Sequence, residues 1–181
     1  MKLFKSPVSI DIIEKFRYDL NSNHPIKTNK DNNPVITIIC KQLCDTLYSY
    51  GLHNRKSWSL DIDSIVSKIP SEYEHHFIRG LFDGDGSIKY YNYSYLNKPQ
   101  FHFGYTGLKN VCEYVQKKLH IKRDLVHEGN ITYTLVTRNP INISNIFNYL
   151  YKDATIYLSR KYNTFLEIQM MTFNDYNKAI S

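Results

Sequence analysis

A mixed α+β fold is predicted by three features of the sequence. An apolar stretch with helical spacing, residues 77–84, runs directly into a β-type segment that begins at Ile88. Two pairs of alternating apolar and polar segments follow, residues 88–95 with 100–106 and residues 123–128 with 131–138, and each pair is followed by a helix pattern. A helix–strand–helix order upstream, residues 10–50, echoes the later half: Val35-Ile36-Thr37-Ile38 against Asn130-Ile131-Thr132-Tyr133.

Residues 10–20 read as a helix with Ile10, Ile13, Phe16, Arg17 and Leu20 along one stripe, broken only by Arg17. Asn21-Ser22-Asn23-His24-Pro25 ends it. Residues 26–30 read as a strand, Asp31-Asn32-Asn33-Pro34 as a turn, and the β-branched run 35–39 as a second strand. Residues 41–50 form a helix stopped by Gly51. Residues 54–70 hold the single tryptophan, Trp58, and a short helix at 62–68. Ser71 is placed to cap the next helix, with Glu74 completing a capping box. The hairpins turn at Leu96-Asn97-Lys98-Pro99 and at Gly129-Asn130. Residues 108–119 form a helix with Val111, Cys112, Val115 and Leu119 inward, and 143–151 and 158–170 form two more before a frayed tail.

Strand alternation sends Ile88, Tyr90, Phe101, Phe103, Tyr105, Ile131, Tyr133 and Leu135 inward. Lys89, Tyr91, Tyr93, Tyr95, Gln100, His102, Thr132, Thr134 and Arg138 go outward, a set rich in hydrogen-bonding groups and poor in acids. Such a face is either an ordinary solvated surface or, since a two-stranded ribbon fits the major groove, a DNA-binding one. Lys117, Lys118, Lys122 and Arg123, then Lys152, Arg160 and Lys161, add basic clusters suited to phosphates.

The chemistry-bearing stretch is residues 77–88. Phe77, Gly80, Leu81 and Gly84 share one helical face, and two glycines four apart leave it without side-chain bulk, so a second helix backbone can approach. Gly84 and Gly86 allow a sharp exit. Asp85 then stands at a helix C-terminus, where the dipole disfavours a carboxylate unless a cation is present. A carboxylate so placed is a natural ligand for a hard divalent ion, although Asp83 and Asp85 taken alone are also ordinary turn residues.

Residues 78–86 resemble the LAGLIDADG motif of homing endonucleases, one residue per motif position. Gly80, Leu81, Asp83, Asp85 and Gly86 match outright, Phe82 and Gly84 are common substitutes, and Arg79 replaces a small residue. The resemblance implies an α+β fold built of LAGLIDADG-type αββαββα repeats with a saddle-shaped antiparallel sheet. It divides the chain into a partial repeat at 1–72, without its own motif helix, and a complete repeat at 73–181. It implies binding of double-stranded DNA by the outward residues and phosphodiester cleavage with Mg2+ held by Asp85 and Gly84. The catalytic set is then Asp85 with Arg160 or Lys161, because Ser159 occupies the position where the family commonly has lysine. No glutamine or lysine of the kind common after the second strand stands near Thr106 and Gly107. The resemblance further implies a monomer, or a homodimer through the Gly80/Gly84 face, and a gene in a mobile intron, intein or phage genome. The alternative is a non-cleaving DNA binder, or a maturase-like protein that uses the same saddle on intron RNA, since only one acidic half-site is found.

Composition agrees with a polyanionic partner: 23 Lys plus Arg against 17 Asp plus Glu, net +6, with 16 tyrosines suited to sheets and to stacking on bases. Cys40, Cys44 and Cys112 form no disulfide framework and read as buried thiols in a reducing cytoplasm. Cys40 and Cys44 find no Cys/His pair to complete a zinc site. The first seven residues lack the apolar stretch of a signal peptide, and no segment is long enough to span a bilayer, so a soluble intracellular protein is expected. No P-loop or dinucleotide glycine pattern appears. The adjacent His75 and His76 point to different helix sides and make a poor metal pair.

Overall fold

The computed structural model describes residues 10–52, 60–93, 95–96, 98–128 and 131–180, with side chains to residue 173. Trp58, the turn at Gly129-Asn130, the start of the chain and Asn97 of the first hairpin turn lie outside the described residues. Helices α1 (Ile10–Asp19) and α2 (Lys41–Ser49) flank a two-stranded antiparallel sheet of β1 (Ile26–Thr28) and β2 (Pro34–Ile36). Helix α3 (Ile62–Val66) and a 3-10 turn (Ser71–Tyr73) lead into α4 (Glu74–Asp85). Then come β3 (Gly86–Tyr91), β4 (Gln100–Leu108), α5 (Lys109–Lys118), β5 (Val126–Glu128), β6 (Thr132–Thr137), α6 (Pro140–Leu150) and α7 (Ser159–Ile180). From α4 to α6 the order is αββαββα, and the class is α+β with antiparallel sheets.

The larger sheet has the strand order β3-β4-β6-β5, all pairs antiparallel. Its inner face buries Ile88, Phe101, Phe103, Tyr105 and Leu135 against the helices. Phe82 of α4 stacks on Phe103 of β4 at 5.0 Å between centroids and 10° between planes, and Phe165 of α7 closes on Phe82 at 5.6 Å. The alternation that predicts this face holds inside the strands and fails past their ends. Ile131, expected inward, lies before β6 begins and is exposed.

Local capping explains several boundaries. Gly51, at φ 86°, ends α2: its N–H reaches Tyr48 O, and the Leu52 N–H reaches Leu47 O. Helix α6 starts at Pro140 rather than 143, because proline at the first helical position loses no hydrogen bond there. Asn139 Oδ1 accepts the Ile141 and Asn142 N–H groups at 2.9 and 3.1 Å. The predicted capping box does not form. Ser71 lies in the 3-10 turn, and the Glu74 carboxylate goes to Tyr114 Oη at 2.9 Å and Lys118 Nζ at 2.6 Å, tertiary partners that outcompete a local cap. Helix α7 continues beyond the expected end at 170 to Ile180.

The amino-terminal elements bury less. Neither α1 nor α2 has a buried residue, and Ile10, Phe16 and Leu20 of the predicted stripe are exposed. Strand β2 stops at Ile36, short of the expected 39. Cys40 and Cys44, expected to be buried, are exposed with α2, whereas Cys112 is buried and its Sγ donates to Tyr133 O. Burial pushes the Cys112 thiol up to about 11. Among the described residues no helix is long and apolar enough to cross a membrane.

Candidate nucleic-acid interface and the end of the motif helix

Helix α4 ends at Asp85, and β3 begins at the next residue. The Gly86 N–H reaches Phe82 O, and the backbone turns at φ −86°, ψ 164°, a conformation any residue adopts. Gly86 is therefore needed for a reason other than conformational freedom: a Cβ there would collide with the Phe82 ring and lie 2.6 Å from Phe82 O. Gly80 and Gly84 behave in the opposite way. Nothing lies within 4 Å of a Cβ built on either, so the close helix contact expected over them is not made among the described residues.

Two grooves flank this bare ridge. One, about 780 Å³, is lined by Phe77, Gly80, Leu81, Gly84, Asp85, Tyr105, Thr106, Gly107 and Thr132, with apolar walls from Leu52, Leu60 and Ile65. The other, about 530 Å³, is lined by Ile12, His76, Arg79, Gly80, Asp83, Gly84, Leu158 and Arg160. Asp85 and the exposed Arg160 thus stand on opposite flanks of the ridge. The Asp85 side chain is exposed and makes no hydrogen bond or ion pair among the described residues. Tyr105, at 3% exposure, has its phenol pushed up by burial and by the Asp85 charge.

Lys161 lies beneath the helix end. It is 2% exposed, and its Nζ donates to Phe82 O at 2.5 Å and Asp83 O at 2.9 Å while sitting 4.6 Å from the Phe82 ring centroid. A cation on the last carbonyls opposes the negative end of the helix dipole. Burial lowers its ammonium to about 8; the charges of Asp83 and Asp85 pull the other way. Asp83 accepts the Leu158 N–H on Oδ2 at 3.2 Å, and its Oδ1 is buried without a partner among the described residues. Burial raises the Asp83 carboxyl, against the lowering effects of the Leu158 N–H, Lys161, Arg79 and Arg160.

Sequence reasoning missed Arg79. It is 7% exposed and donates to Ile156 O at 2.9 Å and Leu150 O at 3.1 Å, so it holds the end of α6 and the segment before α7 against the motif helix. Its Nη1 also meets His76 Nδ1 at 2.5 Å. The available signal was the i,i+4 spacing of Arg79 and Asp83 on one helix flank.

The outward sheet residues come together as the register dictates. Lys89 lies opposite His102, Tyr91 opposite Gln100, and Thr106 opposite Thr134. Burial first, then the Arg138 and Lys89 charges, lower the His102 imidazole, whose Nδ1 is buried without a partner among the described residues. Thr134 is only 8% exposed, and its hydroxyl is bonded to that of Thr106 at 2.8 Å, leaving Thr132, Lys89, Gln100 and Arg138 more open. Tyr93 and Tyr95, expected within the strand, follow its end; Tyr93 stacks on Tyr91, and Tyr95 lies tilted against Tyr93. Glu128 of the edge strand, opposite Thr132, is an acid on this face.

No family model and no curated protein matches the chain. Solved structures do. It is similar to the I-LtrWI LAGLIDADG homing endonuclease bound to target DNA, at 20% identity and TM-score 0.48, over 59% of this chain and 39% of that one. It is similar to the homing endonuclease I-CvuI in complex with its target in the presence of calcium, at 14% identity and TM-score 0.45, over 56% and 67%. The archaeal intron-encoded homing endonuclease I-Vdi141I complexed with DNA matches at 20% identity and TM-score 0.47, over 60% and 72%. The match thus spans about two fifths of the first of these proteins. All three of these solved structures are of homing endonucleases, the first of them of the LAGLIDADG type.

Proposed function

We propose that the chain is a homing-endonuclease-like protein that binds double-stranded DNA on the outward face of its four-stranded sheet. In this reading it cleaves phosphodiester bonds with a divalent metal at Asp85. One observation carries the reading: α4 delivers an exposed carboxylate, unpaired among the described residues, directly into β3, and no acid occurs between Asp85 and Glu113 while lysines stand at 89, 98 and 109. A polyanion is favoured along that hairpin and opposed at Asp85, where a bound cation reverses the sign.

The donor set fits magnesium as half of a site. Asp85 and the Gly84 carbonyl are hard oxygen donors at an exposed helix end, and magnesium is commonly held by one or two carboxylates with water and phosphate oxygens around it. Among the described residues no group of three His, Cys, Asp or Glu side chains comes together, so the remaining ligands would come from elsewhere. When bound, the ion supplies Lewis-acid polarisation and an activated water. The chain's own residues orient the helix end: Lys161 fixes the Phe82 and Asp83 carbonyls, and Arg160 places an exposed guanidinium on the other flank.

Residues 1–72 are read as a partial repeat and 73–181 as a complete one. The order α1-β1-β2-α2, with β1 and β2 antiparallel, repeats that of α5-β5-β6-α6. The bare Gly80/Gly84 ridge is read as the seat of a second motif helix, which a homodimer would supply. A cytoplasmic protein of a mobile intron, intein or phage genome is the setting this implies. The alternative, a non-cleaving binder of DNA or of intron RNA, is favoured by the single acidic motif half-site found in the sequence.

Duplex affinity tests the reading. Between about 50 and about 200 mM salt it is expected to fall by about 10³-fold, as several released counterions require. A flat salt response, or no binding to any duplex, would defeat it. Tighter binding to a structured RNA than to any duplex would select the alternative.

A further inference from the structure

Tyr91, Tyr93 and Tyr95 form an exposed aromatic column at the outer end of the β3–β4 hairpin. Strand pairing stops at Tyr91 opposite Gln100, so Tyr93 and Tyr95 lie past the end of β3. Ring centroids are 5.9 Å apart at 17° between Tyr91 and Tyr93, and 5.4 Å apart at 32° between Tyr93 and Tyr95. Tyr95 is 77% exposed, and its ring contact among the described residues is the tilted one with Tyr93, so most of the ring stands in solvent.

We propose that this column is a stacking platform for an unpaired nucleobase, which lengthens it on the free face of Tyr95. The proposal rests on the nucleic-acid reading above and names a second substrate feature, bases outside the duplex. Ring spacing decides where the base goes. Inserting one between two rings needs ~6.8 Å, twice the ~3.4 Å base step, and both gaps are smaller. The open end of the column has no such limit. Charge supports a strand there, since lysines at 89 and 98 bracket the column and no acid lies between Asp85 and Glu113. From Gly86 to Tyr91 the strand advances ~17 Å, so the platform is about five base steps from the Asp85 end of the hairpin. Recognition is by the π face, which every base offers, so it is independent of base identity.

The test is fluorescence anisotropy with four labelled probes of one duplex sequence. One is blunt, one carries a short single-stranded DNA tail, one an abasic tail of equal length, and one an RNA tail. The abasic tail keeps the phosphates and removes the stacking surface. The wild-type chain is expected to bind the base-bearing tail roughly tenfold tighter than the abasic tail. Tyr95→Leu should bring that ratio to about one, and Tyr95→Trp should restore it. Equal binding of base-bearing and abasic tails by the wild type would overturn the platform, as would a ratio that survives Tyr95→Leu. Binding to the blunt duplex with no base dependence would remove the platform and leave the duplex reading standing. Base-dependent tail binding without blunt-duplex binding would do the reverse. Binding to no probe would overturn both. The DNA and RNA arms identify which strand supplies the base.

Discussion

Asp83 and Lys161 cap each other's helices. Asp83 Oδ2, in the last turn of α4, accepts the Leu158 N–H just ahead of α7, at 3.2 Å. Lys161 Nζ, in the first turn of α7, donates to Phe82 O and Asp83 O at 2.5 and 2.9 Å. A carboxylate at a helix start and an ammonium at a helix end each oppose the local dipole. The helix end that carries Asp85 is therefore fixed by a residue 76 positions further along the chain, reckoned as 161 minus 85.

Lys161→Met is expected to destabilise the fold by about 1.5–3 kcal/mol, because two carbonyls at the buried end of α4 lose a charged donor. Urea unfolding measures the difference, and wild-type stability in the variant would show that the contact contributes nothing.

The same pair predicts a pH dependence. Burial holds the Lys161 ammonium at about 8 in the folded chain, below the ordinary 10.5. Between those values the unfolded chain binds more protons, so Lys161 makes stability rise with pH across that window; well below 8 both states are protonated and its effect is flat. The free energy of unfolding of wild type minus that of Lys161→Met should increase from about pH 7.5 to about pH 9.5. A constant or falling difference would contradict the buried ammonium.

Glycine substitutions should separate Gly86 from Gly80. Gly86→Ala places a Cβ against the Phe82 ring and carbonyl and should cost about 1–3 kcal/mol. Gly80→Ala meets open space in a helix and should stabilise the isolated chain by about 1 kcal/mol. Thermal denaturation at low concentration reads both. Sedimentation at high concentration then reads whether Gly80→Leu abolishes an association that the wild type shows.

Asp85→Asn should abolish magnesium-dependent cleavage of a verified target and leave duplex binding intact or tighter, since a negative charge beside phosphate is removed. Asp83→Asn should retain more activity, because its side chain faces Leu158 and keeps an oxygen acceptor. Calorimetric titration of magnesium into the two variants provides a second readout. Full cleavage by Asp85→Asn would remove the metal assignment.

The sequence by itself determined the features with short-range causes. Period-2 alternation decided which side of β3, β4 and β6 faces the core, because successive side chains of a strand leave on opposite sides. The glycine after α2 and the acidic end of α4 were legible for the same reason: caps and motif spacings are local. The tertiary structure decided what depends on who the neighbours are. Glu74 left a local cap for Tyr114 and Lys118, and Arg79 went inward because carbonyls at 150 and 156 waited there. Lys161 carries a charge that sequence assigns to the surface, yet it is buried because two helix-end carbonyls and the Phe82 ring meet it. Gly80 and Gly84 looked like a closed helix contact in sequence and are an open ridge among the described residues, because spacing along one helix fixes a face and only a second element can cover it.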